Sequence, residues 1–172
     1  TRNRAHYRRA PMPRGKGKLE RWERNKALGC VHEPDLRAVA EGDAYMRGAW
    51  AREVFGSDAP ITLELGCGQG LFTVDLATRR PDASFGGIDV KGHRFWRGAA
   101  AADRAGLPNA AFLRARVQWL ARFFAPGEVR DVWLTFTDPQ VNDKRGTKRL
   151  TSPYYLRLYQ QILGIGGRVL VK

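Results

Sequence analysis

The sequence predicts an α/β fold: a central parallel sheet with helices on both faces. Three observations lead there. Short apolar runs alternate with longer segments of helical spacing along most of the 172 residues. The first run after Pro60 feeds a glycine-rich loop that opens a helix. The following run carries an acidic residue, Asp89, near its end. Strand–helix alternation of this kind builds parallel sheets covered on both sides.

In chain order, Leu36 to Phe55 has helical spacing, interrupted by Gly42 and Gly48. Gly56 to Pro60 breaks it. Ile61 to Leu65 is a buried strand, and Leu71 to Arg80 a helix stopped near Pro81. Phe85 to Val90 is a second strand, His93 to Ala105 a helix closed by Gly106. Ala111 to Arg114 is a third strand and Val117 to Phe124 a short amphipathic helix. Asp131 to Phe136 is a fourth strand. Ser152 as N-cap and Pro153 at the first helical position open a helix through Leu163, and Arg168 to Val171 is a fifth strand.

Composition narrows the partners. Thirty Lys and Arg face 17 Asp and Glu, a formal net charge of +13, which favours a polyanion. Residues 1–34 hold ten Lys and Arg against three Glu. They read as a basic N-terminal arm, with Tyr7 and Trp22 among the charges and a helix near Leu19 to Lys26, in front of a domain spanning 35–172. A solvated tail is the plainer reading of that charge. No apolar run approaches the ~20 residues that span a bilayer. Cys30 and Cys67 form no close-spaced metal pattern and no disulfide framework, so neither a metal nor a membrane is expected and the setting is read as cytoplasmic.

The loop Glu64-Leu65-Gly66-Cys67-Gly68-Gln69-Gly70 lets the backbone turn tightly and approach a ligand at a helix N-terminus. Its spacing is G-x-G-x-G with an acid two residues ahead, whereas the dinucleotide fingerprint is G-x-G-x-x-G. Asp89, 25 residues after Glu64, can accept both hydroxyls of a ribose. A nicotinamide enzyme, or a tight turn with a solvated Asp89, are the alternatives. Cys67 reads as a small residue filling the turn; no His lies near it in sequence to make it a nucleophile.

These features resemble class I S-adenosylmethionine-dependent methyltransferases. The resemblance implies that Glu64, Gly66, Gly68 and Gly70 hold the methionine end of the cofactor and that Asp89 holds its ribose. After the fourth strand come Asp138-Pro139-Gln140, then Lys144, Arg145, Lys148 and Arg149, then Leu150-Thr151-Ser152-Pro153. That block resembles bacterial tRNA (guanine-46-N7)-methyltransferases, as does Gly15 to Glu20 with Asn25-Lys26, and the likeness runs from about Gly15 to Lys172.

This second resemblance implies a Rossmann-like class I fold, S-adenosyl-L-methionine as cofactor and tRNA as partner. Asp138 would be the catalytic or substrate-positioning acid, with Lys144, Arg145, Lys148 and Arg149 on the tRNA. The plainer reading of Asp138 is an ion pair with those basic neighbours. Thr137 stands where the family has Pro, Gln140 where many members have Trp, and Arg116 where many have an acid near the adenine. Other readings are a class I methyltransferase on another RNA or a protein, or an RNA-binding module with a degenerate cofactor site. Against the family's pattern the chain is expected to lack the last two strands, leaving the fifth as an exposed edge.

Overall fold

The computed structural model describes residues 17–135 and 149–172. Six strands form one sheet: β1 Val31–His32, β2 Ile61–Leu65, β3 Ser84–Asp89, β4 Ala110–Arg114, β5 Val129–Leu134 and β6 Leu163–Val171. Their order is β1-β4-β3-β2-β5-β6, and every neighbouring pair is parallel. The chain steps outward from β2 through β3 to β4, then returns to the other flank of β2. Ligands of such sheets bind where the order reverses, beyond the carboxyl ends of the strands.

The helices are α1 Gly17–Asn25, α2 Leu36–Glu41, α3 Leu71–Arg79, α4 Gly92–Arg104, α5 Leu120–Phe123 and α6 Pro153–Gln160. Successive strand residues point to opposite faces, so two cores form. Leu63, Leu65, Ile88 and Leu113 join Trp50, Phe123, Phe124, Tyr155 and Tyr159 on one face. Phe85, Ala110 and Phe112 join Ala77, Phe95, Ala99 and Ala102 of α3 and α4 on the other. Alanines on α4 let that helix lie close to the sheet.

Three expectations change. Residues 36–55 are not one helix. Gly42 is extended at φ −161° and Gly48 turns at φ 77°. A separate π-type turn then runs from Trp50 to Phe55. Tertiary contacts impose this break. The Glu128 carboxylate accepts from the N–H groups of Gly48, Trp50 and Ala125 at 2.9, 2.9 and 2.7 Å. The Trp50 indole stacks on Phe124 at 4.7 Å and donates to the Phe123 carbonyl.

The last helix ends at Gln160, and β6 starts at Leu163 rather than Arg168. Gly166, at φ 76°, and a register shift between Val129 and Asp131 accommodate the longer strand. Arg168 pins the register with two bonds to the Asp131 carboxylate at 2.9 and 2.8 Å. That pairing holds the Asp131 carboxyl below its usual range.

Residues 17–34, expected within a basic arm in front of the domain, pack on the sheet domain. Asn25 is fully buried and donates to the Gly92 carbonyl at 3.0 Å and to Glu33 at 3.1 Å. Val31 pairs with Phe112 as a sixth strand, and Leu28, Cys30 and Val31 cover the second core. Charge dominates the composition here and masks these few apolar and amide anchors.

Candidate functional site

The glycine loop leaves β2 and bends back under the end of β3. Gly66 and Cys67 both donate to the Ile88 carbonyl, at 2.8 and 3.0 Å. Gly66, Gly68 and Gly70 all have positive φ, between 55° and 71°, which side chains other than glycine adopt only with strain. The loop is also pressed from behind. A Cβ at Gly70 would sit 2.4 Å from the Phe112 ring, and one at Gly98 of α4 would sit 2.7 Å from the Gly70 carbonyl.

Glu64 is 4% exposed, and its carboxylate is turned onto the protein. One oxygen accepts from the Thr73 N–H at 3.0 Å and the Thr73 hydroxyl at 2.6 Å; the other accepts from the Thr135 hydroxyl at 2.5 Å. Gly70 has no side chain to cap α3, so Glu64 caps the third N–H of that helix from across the loop. One carboxylate thus joins β2, α3 and the end of β5. Burial raises its pKa, Asp89 adds to the rise, and the hydrogen bonds from Thr135 and Thr73 oppose it.

Asp89 ends β3. Its two oxygens accept from the Gly68 N–H at 3.1 Å and the Lys91 N–H at 2.9 Å. Each oxygen keeps a further lone pair for a ligand hydroxyl. Cys67 is buried, and burial together with Glu64 and Asp89 pushes its thiol well above the usual range. It fills the turn as an uncharged thiol.

Beyond the carboxyl ends of β2, β3 and β4 opens a cleft of about 380 Å³. It brings together three of the residues expected at the cofactor: Gly66, Asp89 and Arg116. Its size is within the range of small-molecule sites. Apolar surface from Ile88, Val90, Ala115 and Val117 suits a flat heterocycle, and Asp89 at its edge suits ribose hydroxyls. The opposite wall, which sequence reasoning missed, comes from Gln118, Leu150 and Tyr155. Gln118 donates to the Tyr155 hydroxyl at 2.7 Å, and Tyr159 donates to the Leu150 carbonyl at 2.9 Å. Only the position of Tyr155 just after Ser152-Pro153, at the mouth of a helix, hinted at this role.

Arg116 is exposed, with its guanidinium 5.4 Å from the Trp119 ring. It borders the cleft. Gly68 and Gly70 shape the loop without lining the cleft. Arg149 starts the turn that delivers Leu150, its carbonyl accepting from the Ser152 N–H. Asp138, Lys144, Arg145 and Lys148 lie outside the described residues, as do Thr137 and Gln140. Among the described residues no three His, Cys, Asp or Glu side chains converge as a metal site, and no helix is long and apolar enough to cross a membrane.

Comparison with known proteins places this geometry. A family model described as "Putative methyltransferase" matches residues 58–172. The tRNA (guanine-N(7)-)-methyltransferase of Bacteroides thetaiotaomicron is 45% identical over 158 residues, covering 92% of this chain and 62% of that protein. The one from Christiangramia forsetii is 42% identical over 152 residues, covering 88% of this chain and 68% of that protein. The chain therefore spans roughly three fifths to two thirds of the length of these relatives. Phosphoethanolamine N-methyltransferase 2 of Haemonchus contortus, solved with S-adenosyl-L-methionine, superposes with a TM-score of 0.52 at 13% identity. That match covers 87% of this chain and 27% of that one, and at such identity the likeness concerns the fold. A Rossmann-like sheet, an acid-led glycine loop and close relatives across nearly the whole chain agree, and the chain belongs to the tRNA (guanine-N(7)-)-methyltransferase family.

Proposed function

We propose that this chain carries the methyl-transfer domain of an enzyme that uses S-adenosyl-L-methionine to methylate guanine N7 in tRNA, at position 46 by family resemblance. The observation that carries the reading is the cleft at the strand ends, where Gly66, Asp89 and an apolar heterocycle slot meet. Residues 1–34 would supply a basic RNA-facing segment, anchored on the sheet through Asn25 and β1, and residues 35–172 the catalytic domain, in the cytoplasm where tRNA is modified.

When bound, the cofactor supplies an electrophilic methyl group. Guanine N7 carries a lone pair and no proton, so the protein needs no general base at the acceptor. Its residues have to align and to stabilise charge, and alignment is worth roughly 7–11 kcal/mol. Asp89 would accept from the ribose hydroxyls. The Gly66 backbone would border the methionine portion. Glu64 would act through the loop, holding β2, α3 and Thr135 in register, rather than on the ligand itself.

Asp138 follows β5 by four residues. It would stabilise the positive charge that methylation leaves on the purine, or hold the guanine amino edge. Lys144, Arg145, Lys148 and Arg149 would bind phosphates nearby.

The test is transfer of labelled methyl groups from the cofactor to unmodified tRNA by the full chain, with the modified base mapped. Label at guanine N7, lost in Asp138→Ala with cofactor affinity kept, supports the reading. Transfer to another atom overturns its specificity. Saturable RNA binding with no cofactor binding favours the RNA-binding module instead.

A further inference from the structure

A second cleft, of about 540 Å³, lies between α1, the start of α4 and the glycine loop. Arg21 of α1 and His93, Arg94, Trp96 and Arg97 of α4 line it, with Gly68 and Gln69 of the loop as its floor. No carboxylate is among these lining residues. The neighbouring cleft around Trp22 differs, because Glu33 and Asp35 there offset the basic groups. Arg94 and Arg97 are three residues apart and so share a helix face.

Two polar atoms in this second cleft's walls, Arg21 Nε and His93 Nδ1, are buried with no hydrogen-bond partner among the described residues. Such groups are costly to leave unmatched. The positive charges of Lys18, Arg21, Arg94 and Lys91, after burial itself, hold His93 below its ordinary pKa. The ring therefore sits in a field that a bound anion would relieve. Trp96 adds an aromatic wall, with the Arg24 guanidinium 5.7 Å from its ring centroid. Cations beside an aromatic edge match a sugar–phosphate chain with its attached base better than a lone small anion.

We propose that this cleft binds the sugar–phosphate backbone of the RNA substrate, with Arg21, Arg94 and Arg97 on phosphates and Trp96 against a base or sugar. The inference rests on the RNA-methylating reading above. Arg97 also donates to Gln69 at 2.9 Å, so backbone binding here touches the loop next to Gly68 and Gly70. RNA engagement and the shape of the methyl-donor loop would then be mechanically joined.

The test uses the full chain, unmodified tRNA and a salt titration. Removing two phosphate-binding cations in Arg21→Gln/Arg94→Gln should lower the slope of log affinity against log salt by roughly 1.5. Trp96→Ala should weaken tRNA binding by roughly tenfold, within the range expected for one stacked base. Cofactor affinity by calorimetry should stay within about twofold in both variants. The exposed Arg52→Gln, on the Trp50–Phe55 turn, serves as a charge control and should leave the slope unchanged. In the wild type, added tRNA should raise the His93 pKa followed by NMR.

An unchanged slope in the double variant, with wild-type tRNA binding intact, overturns the proposal. So does a loss of cofactor affinity with tRNA binding kept, which would assign the cleft to the cofactor's carboxylate. Wild-type protein that binds no tRNA at all sinks the parent reading instead.

Discussion

The two walls of the cleft at the strand ends are held by different physics. The loop wall, Glu64 to Gly70 with Asp89, is local and over-determined. Three positive-φ glycines, a buried carboxylate with three donors and a second carboxylate on the Gly68 N–H leave it one conformation. The α6 wall, Leu150 and Tyr155 facing Val117 and Gln118, joins segments far apart in the chain through the Tyr155 hydroxyl, while the Tyr159 hydroxyl ties Leu150 to α6. A cleft built this way has one half fixed by the loop and one half whose position depends on how α6 docks. The comparison predicts that damage to the first wall costs the fold, whereas damage to the second costs mainly affinity.

The largest effect is expected at Gly70. A methyl group there meets the Phe112 ring at 2.4 Å and needs a left-handed backbone as well. Overpacking at about 1–3 kcal/mol and αL strain at about 1–2 kcal/mol give a loss of roughly 2–5 kcal/mol for Gly70→Ala, readable by urea unfolding. Gly66→Ala is the matched contrast. It has the same positive φ but open space around the added Cβ, so about 1–2 kcal/mol should be lost. Its new methyl borders the cleft, so cofactor affinity should fall along with stability. Equal unfolding penalties at the two positions would show that the close packing against Phe112 does not support the loop.

Glu64 comes next. Glu64→Ala removes the acceptor of three buried or partly capped donors and should destabilise by about 2 kcal/mol. Its pH dependence has a definite sign. Burial raises the folded-state pKa above the ordinary 4.5, so the folded protein holds the proton more tightly than the unfolded chain. Stability contributed by this group is therefore greatest at low pH and falls as pH rises from about 4.5 through the raised value. Glu64→Gln should flatten that leg of the stability–pH curve, because an amide does not titrate. The Asp131 carboxyl, lowered by Arg168, works in the opposite direction. It strengthens the fold above the ordinary carboxylate range and loses that contribution on acidification.

The split between the walls also explains how much of the site could be read from residues alone. Strand-then-glycine spacing dictates the loop wall, because the backbone requirement and the residue type coincide at Gly66, Gly68 and Gly70. Asp89 follows from the same local logic at the end of the next strand. Thr73 and Thr135 as the partners of Glu64 were not legible: a threonine at such positions carries no signal until the fold brings β5 beside β2. Tyr155 and Gln118 are 37 residues apart, and only the docking of α6 joins them. In the fold, the same holds for residues 17–34, where a single buried Asn25 and a two-residue strand decide the packing. It holds again for the break at Gly42 to Gly48, which Glu128 imposes from 78 and 80 residues away.

A smaller effect is expected at Tyr155→Phe. The change removes the bond from Gln118 but keeps the ring, which is 6% exposed and packs near Tyr159. Gln118 is exposed and can turn to water. Stability should fall by about 0.5–1 kcal/mol, whereas cofactor affinity should fall several-fold as the wall above Val117 loosens. A stability loss much larger than the affinity loss would mean that Tyr155 is a core residue only, and the proposed contrast between the walls would fail on its second side.

The smallest effect is expected at Arg116, and it separates side-chain from backbone recognition at the proposed heterocycle end of the cleft. The guanidinium lies toward Trp119, 5.4 Å from the ring centroid, and the residue is exposed. An exposed cation–π contact is worth about 0.5–1 kcal/mol, so Arg116→Ala should cost no more than that in thermal or urea unfolding. The walls of the slot at this point are Ala115, Val117 and the backbone between them, fixed by the Ala115 N–H donating to the Asp89 carbonyl at 3.2 Å. Cofactor affinity should therefore stay within about threefold in Arg116→Ala. Arg116→Asp introduces the acid that the family resemblance implies here and removes a positive charge from the cleft edge. It should bind the cofactor as tightly as the wild type or more tightly. A tenfold loss in Arg116→Ala would instead place the arginine on the ligand and make the slot dependent on its charge.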